Sequence, residues 1–70
     1  ILGNAGDDTI SGNGGADTID AGAGSDTVFG QDGADTIIGG ASGEAEADSL
    51  VGGLGGDTVF GGGGDDLVYG

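Results

Sequence analysis

The chain has 70 residues, of which 21 are glycine, and its 13 carboxylates are matched by no Lys, Arg or His, giving a formal charge of −13. With no cysteine and no histidine it has no disulfide, no thiolate or imidazole metal site and no Ser-His-Asp or Cys-His catalysis. With no basic side chain it cannot hold a nucleic-acid backbone or settle on an anionic membrane, and a polyanion of this size attracts cations instead.

Aligned on its aspartates, the chain divides into seven units over residues 3–11, 12–20, 21–29, 30–38, 39–51, 52–60 and 61–69. Six are nine residues long, and the fifth carries four extra residues. Position six is Asp in every unit: Asp8, Asp17, Asp26, Asp35, Asp48, Asp57 and Asp66. Position eight is always aliphatic, as Ile10, Ile19, Val28, Ile37, Leu50, Val59 and Val68, and position seven is Thr or Ser until Leu67. Each unit therefore opens with a glycine-rich hexapeptide, which reads as a turn, and closes on a β-rich triplet, which reads as a very short strand. Asn4 and Asn13 replace glycine at position two, where a residue tolerant of positive φ is needed. Ile1 and Leu2 fit the tail of an eighth unit and Gly70 the start of a ninth, so the chain reads as a stretch of a longer array. It has no 18-residue apolar run and no signal-peptide core.

A three-residue strand with one inward side chain forms no domain alone, but many such strands stacked into a solenoid do. Stacking brings position-six carboxylates of neighbouring turns to about 5 Å from one another. Two such charges repel by about 1 kcal/mol at the dielectric of water and about 3 kcal/mol at an effective value near 20. A hard divalent cation between them reverses the sign. Ligation by carboxylate and carbonyl oxygen alone suits calcium, whereas magnesium prefers a rigid octahedron and keeps its waters. The aliphatic core is thin, which points to folding coupled to metal binding, disordered without the ion and ordered with it.

The units fit the pattern G-G-x-G-x-D-x-U-x, with GGLGGDTVF at 52–60 and GGGGDDLVY at 61–69 matching every defined position. The whole chain thereby resembles the RTX, or haemolysin-type, calcium-binding repeat family. The resemblance implies an all-β fold, a right-handed parallel β-roll in which two nonapeptides complete one 18-residue coil. Units one, three, five and seven stack on one side of such a roll, and two, four and six on the other.

The resemblance also implies calcium between turns 18 residues apart, held by position-six carboxylates of both turns. Main-chain carbonyls come from positions two and four of one turn and from one and three of the next. Carried over, the first site takes Asn4, Gly6 and Asp8 with Ala21, Ala23 and Asp26. The second takes Asn13, Gly15 and Asp17 with Gly30, Asp32 and Asp35. The third sets Gly22, Gly24 and Asp26 against Gly39, Ala41 and Asp48, and the fourth sets Gln31, Gly33 and Asp35 against Gly52, Leu54 and Asp57. A fifth joins Asp48 to Gly61, Gly63 and Asp66. About five bound ions add about +10 to the formal −13. The insertion puts Glu46 where a position-four glycine stands elsewhere, and Glu44 and Glu46 read as solvated loop residues.

By the same resemblance the chain is a secreted module, exported unfolded from a Gram-negative bacterium by a one-step secretion machine and folding in extracellular calcium. It then serves an attached effector and is not itself an enzyme. The alternative is an ice- or surface-binding adhesin segment using outward ladders of Thr18, Thr36 and Thr58 and of Thr9, Thr27 and Ser49. Position nine runs Ser11, Asp20, Phe29, Ile38, Val51, Phe60, Tyr69, from polar to apolar along the chain. Two outward ladders follow, Phe29 with Val51 and Tyr69, and Ile38 with Phe60. They read either as strand-stabilising stacks or as faces that dock flanking domains of the parent protein.

Overall fold

The computed structural model describes residues 1–40 and 45–70. Ala41, Ser42, Gly43 and Glu44, and with them the placing of Ala41 in the third site and of Glu44 in a solvated loop, lie outside the described residues. Every unit's closing triplet is a strand: β1 Thr9–Ser11, β2 Thr18–Asp20, β3 Thr27–Asp32, β4 Thr36–Ile38, β5 Ser49–Leu54, β6 Thr58–Phe60 and β7 Leu67–Tyr69. They form two parallel sheets, β1-β3-β5-β7 and β2-β4-β6, so that each strand pairs with the next but one in sequence. This is a parallel β-roll of about three turns, measuring 29 × 18 × 13 Å.

The register follows the repeat. Ile10, Val28, Leu50 and Val68 pair in one sheet, and Ile19, Ile37 and Val59 in the other. All of these position-eight side chains but Val68, which is exposed, meet between the sheets. Ile10, Ile19, Ala21, Val28, Ile37 and Leu50 are buried, and Val59 packs against them. Thr27 pairs with Ser49 despite the four extra residues of the fifth unit, which therefore leave the strand register intact.

Strands β3 and β5 differ from the expected triplets by running on to Asp32 and Leu54, with Gln31 paired to Gly53 and Asp32 to Leu54. The first three residues of the fourth and sixth units thus continue the ladder around the corner, although Gln31 and Gly53 are left-handed, with φ of 75° and 95°. At the other end, the Asp20 N–H donates to Ile1 O at 2.8 Å and Leu2 bridges to Asp20 in parallel, so both terminal residues lie in strand-like register.

In every unit but the fifth, turn geometry is set by two left-handed positions. Position two has φ of 71° at Asn4 and Asn13, 75° at Gln31 and 83–95° at Gly22, Gly53 and Gly62. Position four is glycine with φ of 91–115° at Gly6, Gly15, Gly24, Gly33, Gly55 and Gly64. Two left-handed residues flanking one ordinary residue turn the chain by the half-coil that separates the sheets.

Candidate metal centre

Position six sits where turn becomes strand, and its side chain points inward. Asp26, Asp35 and Asp48 are only 1–3 % exposed. Each aspartate is tied to the coil above and the coil below by its own backbone and by one carboxylate oxygen. The N–H groups of Asp8, Asp17, Asp26, Asp35 and Asp48 donate to Oδ1 of Asp26, Asp35, Asp48, Asp57 and Asp66 respectively, each at 2.9 Å. Their carbonyls accept the N–H of Thr27, Thr36, Ser49, Thr58 and Leu67, each at 2.8 Å. Two aspartate columns result: Asp8, Asp26, Asp48 and Asp66 on one side of the roll, and Asp17, Asp35 and Asp57 on the other.

This ladder was not foreseen from the sequence, although a signal was present. Position six is never Glu in seven units, and the shorter aspartate fits a side chain that must reach a backbone N–H of the adjoining coil.

The second carboxylate oxygen has no such partner. Oδ2 of Asp8, Asp17, Asp26, Asp35, Asp48 and Asp57 is buried and meets no hydrogen-bond donor. A buried anionic oxygen without compensation is costly, and the chain has no basic side chain to provide it. At Asp48 burial pushes the carboxyl pKa above its ordinary value. The charges of Asp66, Asp26 and Glu46 add to that rise, against the opposing pull of the Asp26 N–H.

Main-chain oxygens share the space around these atoms. A methyl added at Gly3, Gly12, Gly30 or Gly39 would lie 2.5–3.0 Å from Oδ2 of the aspartate in its own unit. The same methyl would lie 2.3–2.9 Å from the position-one carbonyl of the next coil, namely Ala21, Gly30, Gly52 and Gly61 in turn. Asp8, Asp17, Asp35 and Asp48 thus each meet one of those carbonyls beside a position-one glycine.

Carbonyls at positions two and four stack directly beneath the glycines of the following coil. Methyls added at Gly22, Gly24, Gly33, Gly53 and Gly55 would come within 2.1–2.5 Å of the carbonyls of Asn4, Gly6, Gly15, Gln31 and Gly33. Some of these oxygens already accept one bond: Asn4 from the Ala23 N–H at 2.9 Å and Asn13 from the Asp32 N–H at 3.1 Å. Leu54 accepts the Gly33 N–H at 3.1 Å. A carbonyl has a second lone pair for another partner. The Glu46 carbonyl takes the place of a position-four carbonyl, 2.2 Å from a methyl added at Gly64, although Glu46 lacks the left-handed φ of the position-four glycines. Gly63 lies in the turn of the last unit, between the left-handed Gly62 and Gly64.

The donor set is oxygen throughout. Among the described residues no three acidic side chains converge on one point, so a cation between coils would draw on carbonyls as well as on carboxylates. Inward Oδ2 atoms without donors, next to rows of carbonyls, fit a hard ion that tolerates irregular oxygen coordination, which is the chemistry of calcium. Among the described residues no helix is long and apolar enough to cross a membrane.

The family model of the RTX calcium-binding nonapeptide repeat (4 copies) matches residues 1–28, 11–42 and 42–70, which together span the chain. No significant match was found among curated proteins or among solved structures. That repeat is a structural one and not a catalytic family. The aspartate columns, the oxygen-only surroundings and the match along the chain agree, and the chain belongs to the RTX calcium-binding repeat family.

Proposed function

We propose that this calcium-binding repeat module is a folding switch, disordered without calcium and a β-roll with it. The observation that carries the reading is the set of six buried, unpartnered Oδ2 atoms in a chain without a basic side chain. The ions would sit between coils against Asp8 and Asp26, Asp17 and Asp35, Asp26 and Asp48, Asp35 and Asp57, and Asp48 and Asp66. The carbonyls of Asn4, Gly6, Asn13, Gly15, Gly22, Gly24, Gln31 and Gly33 would complete each cage from one coil. Those of Ala21, Ala23, Gly30, Asp32, Gly39, Gly52, Leu54, Gly61 and Gly63 would do so from the next. Bound calcium supplies positive charge and oxygen coordination to both coils at once, so it joins them where the bare carboxylates push them apart.

Extracellular calcium modules bind at about 0.1–1 mM, far above the free concentration inside cells. A chain tuned to that range stays unfolded in the cytosol and folds once outside. We infer that it is secreted, from a Gram-negative bacterium by one-step export, and that it stabilises an attached effector. The outward ladders of Phe29, Val51 and Tyr69 and of Ile38 and Phe60 would dock that neighbour. Phe29, Phe60 and Tyr69 are 39 %, 57 % and 56 % exposed, which supports their use as an interface.

Calcium titration into the calcium-free chain, followed by far-ultraviolet circular dichroism with magnesium as control, tests the switch. A cooperative rise in β-structure near millimolar calcium and none with magnesium is the expected result. A chain already folded in excess chelator would overturn it.

A further inference from the structure

Position five, just before the aspartate column, is an undefined position of the repeat. It reads Asp7, Ala16, Ser25, Ala34, Ala47, Gly56 and Asp65. Alanine and glycine there have no side-chain acceptor to offer a neighbouring coil. Asp7 has one and uses it: its Oδ1 accepts the Ser25 N–H at 2.9 Å, 18 residues on, and so ties the turn of the first unit to that of the third. The same Oδ1 would lie 3.1 Å from a methyl added at Gly24, whose nearest atom is the Gly6 carbonyl oxygen. The Asp7 carboxylate therefore reaches the next coil beside that carbonyl, and its backbone stands between Gly6 and Asp8, both proposed ligands of the ion in this gap.

Two gaps can be compared bond for bond. Between the first and third units run Ala23 N–H to Asn4 O at 2.9 Å, Asp8 N–H to Asp26 Oδ1 at 2.9 Å and Thr27 N–H to Asp8 O at 2.8 Å. Between the second and fourth run their counterparts, Asp32 N–H to Asn13 O at 3.1 Å, Asp17 N–H to Asp35 Oδ1 at 2.9 Å and Thr36 N–H to Asp17 O at 2.8 Å. The position-five bond distinguishes them, because Ala16 cannot make it. We propose that Asp7 is a positioning residue for calcium in the gap between the first and third units, its bond to the Ser25 N–H holding the two turns together across that gap. The inference rests on the calcium reading and adds to it a residue outside the ligand set. The bond is charge-assisted, and an ion entering a gap whose donors are already held costs the chain less freedom, which raises affinity.

Asp7 and Asp65 are both exposed carboxylates at position five, so truncating either leaves the core intact, and Asp65→Ala reproduces the loss of charge without touching Ser25. The parent, Asp7→Ala, Asp7→Asn and Asp65→Ala are titrated with calcium while the Thr27 amide signal is followed by NMR. Hydrogen exchange at the Ser25 amide is then measured in saturating calcium. Asp7→Ala should raise the calcium midpoint about three- to tenfold and speed exchange at Ser25. Asp7→Asn, which keeps an oxygen acceptor, should behave as Asp65→Ala does, with a smaller rise and a protected Ser25 amide. A midpoint for Asp7→Ala no higher than that for Asp65→Ala would overturn the inference and leave the calcium switch standing, as would an equal loss in Asp7→Asn and Asp7→Ala. No response to calcium in the parent would overturn the switch and this inference together.

Discussion

On the proposed calcium reading, Asp35 would carry two opposed duties. Its Oδ1 accepts the Asp17 N–H and helps hold two coils together, while its Oδ2 is buried without a donor beside the Gly52 carbonyl. The first duty needs only an acceptor, and the second needs a negative charge that is a burden until a cation arrives. Asp35→Asn separates them. The amide oxygen keeps the bond to Asp17, and its N–H₂ takes the place of the orphaned oxygen, where the Gly52 carbonyl can accept from it. In calcium-free buffer this substitution should stabilise residual β-structure by about 1 kcal/mol, while calcium affinity falls about tenfold or more through the lost ligand charge. Urea denaturation without calcium and a calcium titration measure the two effects. Loss of stability in both conditions would mean that the carboxylate is a structural group only.

The turn is the element in which repeat and fold meet, and its glycines are not interchangeable. Gly33 combines φ of 115° with a neighbour so close that an added methyl would lie 2.1 Å from Gly15 O and 2.6 Å from its carbonyl carbon. Gly56, one position further along its own unit, has open space and an ordinary φ. Gly33→Ala should therefore cost about 2 kcal/mol or more through left-handed strain and coil separation. Gly56→Ala should be neutral or slightly stabilising, because it restricts the unfolded chain. Thermal melts in saturating calcium check the pair, and equal losses would show that position four is not specified by coil stacking.

Much of the turn was legible in the sequence, because the nine-residue phase of Asp against the aliphatic column leaves only one way to place strands and turns. Gln31 shows where the reading stopped. It shares position two with Asn4 and Asn13 and adopts φ of 75° like them, yet Gln carries no intrinsic preference for that region. Its side-chain amide donates to Ser11 Oγ in the preceding coil, a contact that no local pattern announces. The extension of β3 and β5 around the corner was equally hidden, since Gly-Gln-Asp and Gly-Gly-Leu have turn composition and become strand only through each other. Charge and spacing single out the aspartates as candidate cation ligands. Their Oδ1 bonds to backbone N–H groups were not legible, because they depend on the vertical offset between coils.

For the whole molecule the balance is electrostatic: a thin aliphatic core holds together a chain of formal charge −13. Protons and calcium both relieve that charge, and they should act in opposite directions on each other. Asp48 has an ordinary pKa of 3.8 that folding raises, chiefly by burial and then through Asp66, Asp26 and Glu46. The folded calcium-free chain therefore binds this proton more tightly than the unfolded chain does. Its stability falls as pH rises from 3.8 through the raised value, and the full destabilisation is present above that value. Acidification from pH 7 to about pH 4 should increase β-structure in metal-free buffer, the reverse of ordinary acid denaturation. With calcium present the proposed switch reverses the sign, because an ion held by the ionised Asp48 carboxylate would be displaced by a proton there. Circular dichroism across this range, with and without millimolar calcium, should give curves that converge at low pH and separate toward neutrality. If acid instead unfolds the metal-free chain, the buried carboxylates are stabilising without calcium, and the charge conflict on which the switch depends is absent.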